Sequence, residues 1–187
     1  MMRLTKLFKN VGLNYNTMSD RMPNRVAFVG AFGSGKTHMA DHLCSNNNFT
    51  KFSFATGLKI VARDYYGVSV GGPKPRELYQ KLGDAMRSVN KDVFAMRTLR
   101  EIENFQAGRR DWEPVKPVVV DDLRFKNEAD FLKKAGFVII RINPREMLEE
   151  SELRNHRSET EMFEIETDFE ITSGDYLQLI NVLNISQ

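Results

Sequence analysis

Five stretches of the chain place apolar, largely β-branched or aromatic residues close together: Arg25 to Val29, Thr50 to Phe54, Pro117 to Asp121, Phe137 to Ile142 and Asp168 to Thr172. Runs such as VAFVG, PVVVDD and FVIIRI are apolar on successive positions, which is how a strand reads when both faces of its sheet are covered. Between these strands the polar and apolar residues follow helical spacing instead. That spacing predicts helices over Lys36 to Ser45, Leu58 to Tyr66, Arg76 to Ser88, Asp92 to Gln106, Asn127 to Lys134 and Pro144 to Asn155, with a last one near Asp175 to Leu183. Strands alternating with helices predict an α/β fold in three layers, a parallel sheet with helices on both faces.

Two Gly/Pro-rich breaks, Val68 to Pro75 (VSVGGPKP) and Ala107 to Lys116 (AGRRDWEPVK), read as loops within one domain. A short polar run, Asn46 to Asn48, falls where a helix should stop. Residues 1–24 read as an N-terminal extension, either poorly ordered or an early start, and carry no functional signal. Residues 25–187 then form the domain.

Directly after the first strand stands Gly30-Ala31-Phe32-Gly33-Ser34-Gly35-Lys36-Thr37, a full G-x-x-x-x-G-K-[ST] loop opening a helix. Gly30, Gly33 and Gly35 permit backbone conformations that turn N–H groups, including that of Ser34, toward phosphate oxygens, and the helix N-terminus adds a favourable partial charge. Lys36 is expected to reach the β- and γ-phosphates of ATP, the Thr37 hydroxyl to ligate Mg²⁺, and His38 to join the nucleotide site in the first helical turn.

The third strand delivers Asp121 and Asp122 at its C-terminal end, where open α/β sheets bind ligands. Either carboxylate could hold Mg²⁺ beside Thr37, directly or through water, and their position alone does not rank them. Basic residues gather later: Arg141, Arg145, Arg154 and Arg157, the last two flanking His156. They are candidates for a lid, since arginine forks stabilise the charge that phosphoryl transfer spreads over oxygen; solvated surface arginines are the equal alternative. His38 and His42 are four residues apart on a helix, but no third ligand accompanies them, so packing or exposure is expected rather than metal binding.

Composition narrows the field without naming a function. Hydrophobic residues at 41% and charged residues at 28% are those of a globular domain. A net charge of +2 over 27 basic and 25 acidic side chains gives no field that would argue for a nucleic-acid polymer or a membrane. No stretch approaches the roughly 20 apolar residues of a membrane helix, and residues 1–24 lack a signal-peptide core. Cys44 is the sole cysteine and reads as a small core residue, which suits a reducing cytoplasm.

With the loop placed, the chain resembles the phage-type deoxynucleoside monophosphate kinases, within the wider P-loop group of nucleotide kinases. Four blocks carry the likeness, in order from about Val26 to the C-terminus. Phe52-Ser53-Phe54-Ala55-Thr56-Gly57-Leu58-Lys59 is similar to the family's "sFAdpLK", and Tyr79-Gln80-Lys81-Leu82-Gly83 with Arg87 to "LQ.lG…R". Asp122-Leu123-Arg124-Phe125-Lys126-Asn127-Glu128-Ala129 is close to "DvRfpnEa", and His156-Arg157-Ser158-Glu159 matches "H.SE". Gly174-Asp175-Tyr176 stands in place of "dGtleeL", and Thr56-Gly57 departs from the usual Asp-Pro.

The resemblance implies a three-layer α/β/α fold with a five-stranded parallel sheet in the order 2-3-1-4-5 and a small lid. It implies that Ala55, Lys59, Arg87, Arg124 and Glu128 face the acceptor nucleotide and that Asp122 sits between metal and substrate. Arg154, His156, Arg157 and Glu159 would belong to the lid. The expected reaction is transfer from Mg-ATP to a deoxynucleoside 5′-monophosphate, with Lys36, Arg124, Arg154, Arg157 and Asp122 serving catalysis, in the cytoplasm of a host if the protein is phage-encoded. A phosphate acceptor, with its second pKa near about 6, needs no general base, so positioning and charge neutralisation would carry the catalysis. Two alternatives stay open: a kinase whose acceptor is a hydroxyl, with Asp121 or Asp122 as base, and a nucleotide-switch ATPase. A homodimer is compatible with the Trp112 loop and the helix from Asp92, which are equally readable as plain surface.

Overall fold

The computed structural model describes residues 23–69, 72, 75–110, 112–145 and 160–185. Strand β1 (Arg25–Val29) leads through the glycine loop into α1 (Lys36–Asn47), then β2 (Thr50–Phe52), α2 (Ala55–Tyr66), α3 (Arg76–Val89) and α4 (Val93–Ala107). β3 (Val118–Leu123), α5 (Lys126–Lys134), β4 (Val138–Asn143), a 3₁₀ turn at Met162–Glu164, β5 (Phe169–Thr172) and α6 (Tyr176–Val182) complete the described chain.

The five strands form one parallel sheet in the order β2-β3-β1-β4-β5, the order the resemblance implies. β1 lies at its centre, with Val26 opposite Val119 of β3 and Val138 of β4. Side chains alternate across the pleat. Ala27 and Val29 pack with Phe94 and Ile102 of α4 and Leu132 of α5 on one face. Val26 and Phe28 pack with Met39 and Leu43 of α1 and Leu179 of α6 on the other. This double covering is why β1 and β3 read as unbroken apolar runs.

Several boundaries differ by a residue or more from the sequence expectation, and two of these differences share a cause. β2 stops at Phe52 rather than Phe54, and α2 begins at Ala55 rather than Leu58. The cause is tertiary: Asp122 of β3 binds the backbone at Phe54 and Ala55 and turns the chain into α2 there. The helix expected over Pro144 to Asn155 falls mostly outside the described residues, as do residues 1–22 of the extension. No described helix is long and apolar enough to cross a membrane.

Candidate active site

The parallel strands bring the ends of β1, β3 and β4 together, and the glycine loop lies across them. A Cβ on Gly30 would stand 2.4 Å from the Ile142 carbonyl oxygen of β4, so only glycine lets the loop leave β1 this close to the sheet. Gly35 takes φ 87° at the N-cap of α1, and a Cβ there would meet Ser173 Oγ at 2.1 Å. The first turn of α1 holds no acidic residue and receives no side-chain cap, which suits its N–H groups to an anion. Ser34 is buried within the loop, its N–H donating to the Ala31 carbonyl at 3.1 Å.

Lys36 is buried as well, and its Nζ donates to the carbonyls of Gly30 and Ala31, each at 2.7 Å. The ammonium is thereby held inside the phosphate cradle. Beside it the Thr37 hydroxyl donates to Asp121 Oδ2 at 2.8 Å. Burial and the neighbouring Asp122 charge push the Asp121 carboxyl up from its ordinary value, against the Thr37 hydrogen bond, which lowers it.

Asp122, the carboxylate that the resemblance assigns to the metal, is placed elsewhere. Its Oδ2 accepts from Ser53 Oγ at 2.7 Å and from the Ala55 N–H at 3.0 Å, while Oδ1 accepts from the Phe54 N–H at 2.9 Å. The neighbour of Thr37 is Asp121. Consecutive residues of a strand point to opposite faces, so two adjacent carboxylates cannot both face the loop. Asp122 fixes the start of α2 instead, where Ala55 is half-buried and Lys59 exposed.

Arg87 and Glu128, both expected at the acceptor, are paired: Arg87 Nη2 donates to Glu128 Oε1 at 3.2 Å. The guanidinium lies over the rings of Phe125 at 4.0 Å and Phe94 at 4.6 Å. Gly83, one turn earlier on α3, leaves it room, since a Cβ there would stand 3.1 Å from Arg87 Nη1. The other Glu128 oxygen accepts from the N–H groups of Arg124 and Phe125, each at 3.3 Å, binding the start of α5 as a capping glutamate does. Glu128 is 2% exposed, and burial outweighs the pull of Arg87 to push its carboxyl up to about 7. Arg124 is half-buried in the same segment.

The lid candidates separate. Arg141 donates to the carbonyls of Met162 and Ile165 at 3.2 and 2.7 Å and pairs with Glu170 at 3.3 Å. It ties β4 to the 3₁₀ turn and β5, which corrects its reading as a lid residue. Arg145 donates to the Ser173 carbonyl at 2.7 Å, on the turn that abuts Gly35. Arg154, His156, Arg157 and Glu159 lie outside the described residues.

His38 is exposed on α1, with its Nε2 hydrogen-bonded to the Tyr176 hydroxyl, and His42 stacks on the Tyr176 ring at 3.9 Å between centroids. Among the described residues no group of three His, Cys, Asp or Glu side chains could hold a metal ion. The sequence expectation gives no role to Ser53 or Tyr176, nor to the contact between Phe32 and Arg76, whose guanidinium lies 4.8 Å from the ring centroid; these become visible only in the fold.

A parallel sheet of this order, with a G-x-x-x-x-G-K-T loop between its central strand and the first helix, defines the protein as a P-loop nucleotide-binding protein. A family model described as an AAA domain matches residues 26–168, and the chain belongs to that family. It is 28% identical to the "Putative deoxynucleotide monophosphate kinase" of Acanthamoeba polyphaga mimivirus, over 63% of this chain and 72% of that protein. It is 26% identical to "Uncharacterized protein ORF77" of Ictalurid herpesvirus 1 (strain Auburn), over 80% of this chain and 64% of that protein. Among solved structures, a gluconokinase from Sinorhizobium meliloti 1021 aligns with 88% of this chain and 91% of its own, at 14% identity and a TM-score of 0.39.

Proposed function

We propose that the protein transfers the terminal phosphate of Mg-ATP to a deoxynucleoside 5′-monophosphate. The observation that carries this reading is the division of labour between Asp121 and Asp122. One is bonded to the Thr37 hydroxyl, and the other accepts from three donors at the start of α2. A hydroxyl acceptor profits from a carboxylate base, and the two candidates for that base are committed to the loop and to the helix. A phosphate acceptor needs none, because it is already largely ionised at neutral pH. The mimivirus relative, named for this reaction, points the same way.

Thr37 and Asp121 supply oxygen donors of the kind Mg²⁺ takes, and the ion, held there, would neutralise charge on the donor phosphates. The chain's own residues do the rest. The loop N–H groups and Lys36 hold the donor phosphates, Asp122 holds the start of α2, and Arg124 with the Arg87–Glu128 pair lines the acceptor side. Catalysis in this reading is alignment and charge stabilisation.

The test is incubation with Mg-ATP and each of the four deoxynucleoside monophosphates, following ADP beside a no-acceptor control. ADP with a matching diphosphate product supports the reading and gives the base preference. Release that ignores the acceptor would replace it with an ATPase, and ATP binding without release would turn attention to hydroxyl acceptors.

A further inference from the structure

Phe32 is the third residue of the phosphate loop, and its ring is 50% exposed. An apolar ring left half in water gains little from core packing. A cation from a distant element lies over it: Arg76, the first residue of α3, sets its guanidinium 4.8 Å from the ring centroid. Three other arginines of this region have carboxylate partners, Arg63 with Asp64, Arg87 with Glu128 and Arg97 with Glu101. Among the described residues Arg76 has none. Its charge is exposed at the tip of the loop that holds Lys36.

The helix pair that carries Arg76 starts at the donor site itself. α2 is anchored at Phe54 and Ala55 by Asp122, next in sequence to the Asp121 that binds Thr37. α3 follows α2 and brings its N-terminus back to the loop. A phosphate acceptor adds close to two negative charges beside those of ATP, and a guanidinium binds phosphate oxygens far more strongly than it binds an exposed ring.

We propose that Phe32 is a seat on the phosphate loop for Arg76, and that Arg76, kept over this ring, binds the acceptor phosphate where it meets the terminal phosphate of ATP. The inference rests on the monophosphate kinase reading and extends it: Arg76 becomes a substrate-binding residue and Phe32 the residue that positions it. A neutral hydroxyl acceptor would give this cation no such task.

The experiment compares wild type, Arg76→Ala, Arg76→Lys, Phe32→Leu and the Phe32→Leu/Arg76→Ala double variant. Mg-ATP affinity is measured by titration, and acceptor KM and kcat with the preferred deoxynucleoside monophosphate. Arg76→Ala is expected to raise acceptor KM about tenfold or more while ATP affinity stays within about twofold. Arg76→Lys should recover part of the loss, because an ammonium keeps the charge without the fork. Phe32→Leu should raise acceptor KM by a smaller factor, and it should add nothing on top of Arg76→Ala, since the ring acts through the arginine. Arg76 is exposed, so these variants are expected to fold, and unfolding midpoints check it.

An unchanged acceptor KM and kcat in Arg76→Ala overturns the inference and leaves the kinase reading standing. A rise in KM with strictly additive effects of the two substitutions overturns the role given to Phe32. If wild type turns over none of the monophosphates, the kinase reading fails and the acceptor assigned to Arg76 fails with it.

Discussion

Thr37 and Asp121, 84 positions apart in the chain, are joined by a hydrogen bond of 2.8 Å from the Thr37 hydroxyl to Asp121 Oδ2. The next residue, Asp122, faces away and holds the start of α2. Conservative changes at these two positions should therefore fail differently. Asp121→Asn is expected to lower kcat by about a hundredfold or more, as loss of a charge-positioning group does. Its unfolding midpoint should hold or rise, because a buried charge beside another carboxylate is removed. Asp122→Asn cannot accept at both ends from three donors and should cost about 1–3 kcal/mol of stability. Denaturant unfolding set beside kcat separates the two, and equal stability losses would sink this division of roles.

Much of this was legible before the fold. The three-layer architecture follows from the α/β pattern and the strand order from the family resemblance, and unbroken apolar runs in β1 and β3 report helices on both faces. The loop is legible because its motif is contiguous, eight residues from Gly30 to Thr37, although Gly30 and Gly35 make room for the distant Ile142 and Ser173. What could not be read is long-range. Asp121 and Asp122 look alike in sequence, and only the direction of the strand pleat assigns one to Thr37 and the other to Ser53. Arg141 looked like a lid cation, yet its partners at Met162, Ile165 and Glu170 come from chain that periodicity does not bring near it. Gly57, within the departure at Thr56-Gly57, lies against a distant side chain. A Cβ on Gly57 would stand 2.8 Å from Arg97 Cδ, so glycine admits the Arg97 side chain of α4 against α2.

Gly30 and Gly67 give a matched pair of substitutions. Both take positive φ, 155° and 66°. A Cβ on Gly30 meets the Ile142 backbone at 2.4 Å, whereas one on Gly67 meets nothing within 4 Å. Gly67→Ala should cost about 1–2 kcal/mol, the penalty of a left-handed residue with a side chain. Mg-ATP affinity should be untouched. Gly30→Ala must also move β4 or the loop, adding about 1–3 kcal/mol of overpacking, and should weaken Mg-ATP binding. Comparable ATP affinity in the two variants would contradict the close approach.

Lys36 Nζ is held by the Gly30 and Ala31 carbonyls, both 2.7 Å away. Lys36→Ala removes the cation that the loop presents to phosphate, and turnover should fall by about 10²-fold or more. The hydrophobic packing of α1 rests on Met39, Ala40 and Leu43, so the far-UV circular dichroism spectrum should remain that of the folded chain. Loss of the helical signal would mean that the lysine is structural instead.

Glu128 offers a stability signature that depends on pH. Its carboxyl is raised from 4.5 to about 7, first by burial, with the Asp122 charge adding to the rise and Arg87 opposing it. The folded chain therefore holds this proton more tightly than the unfolded chain does. The stabilisation is complete below about pH 4.5 and is lost as pH rises through about 7, with a size on the order of 3 kcal/mol. Glu128→Gln keeps the shape, and an amide oxygen can still accept from the Arg124 and Phe125 N–H groups, but it cannot ionise. The free energy of unfolding of wild type minus that of Glu128→Gln should decline between pH 4.5 and 7. Asp121, whose carboxyl is also raised, is present in both proteins, so to first order its contribution cancels in the difference. Two curves that run parallel across this range would show that the Arg87 charge holds Glu128 ionised throughout, and that attraction rather than burial governs the pair.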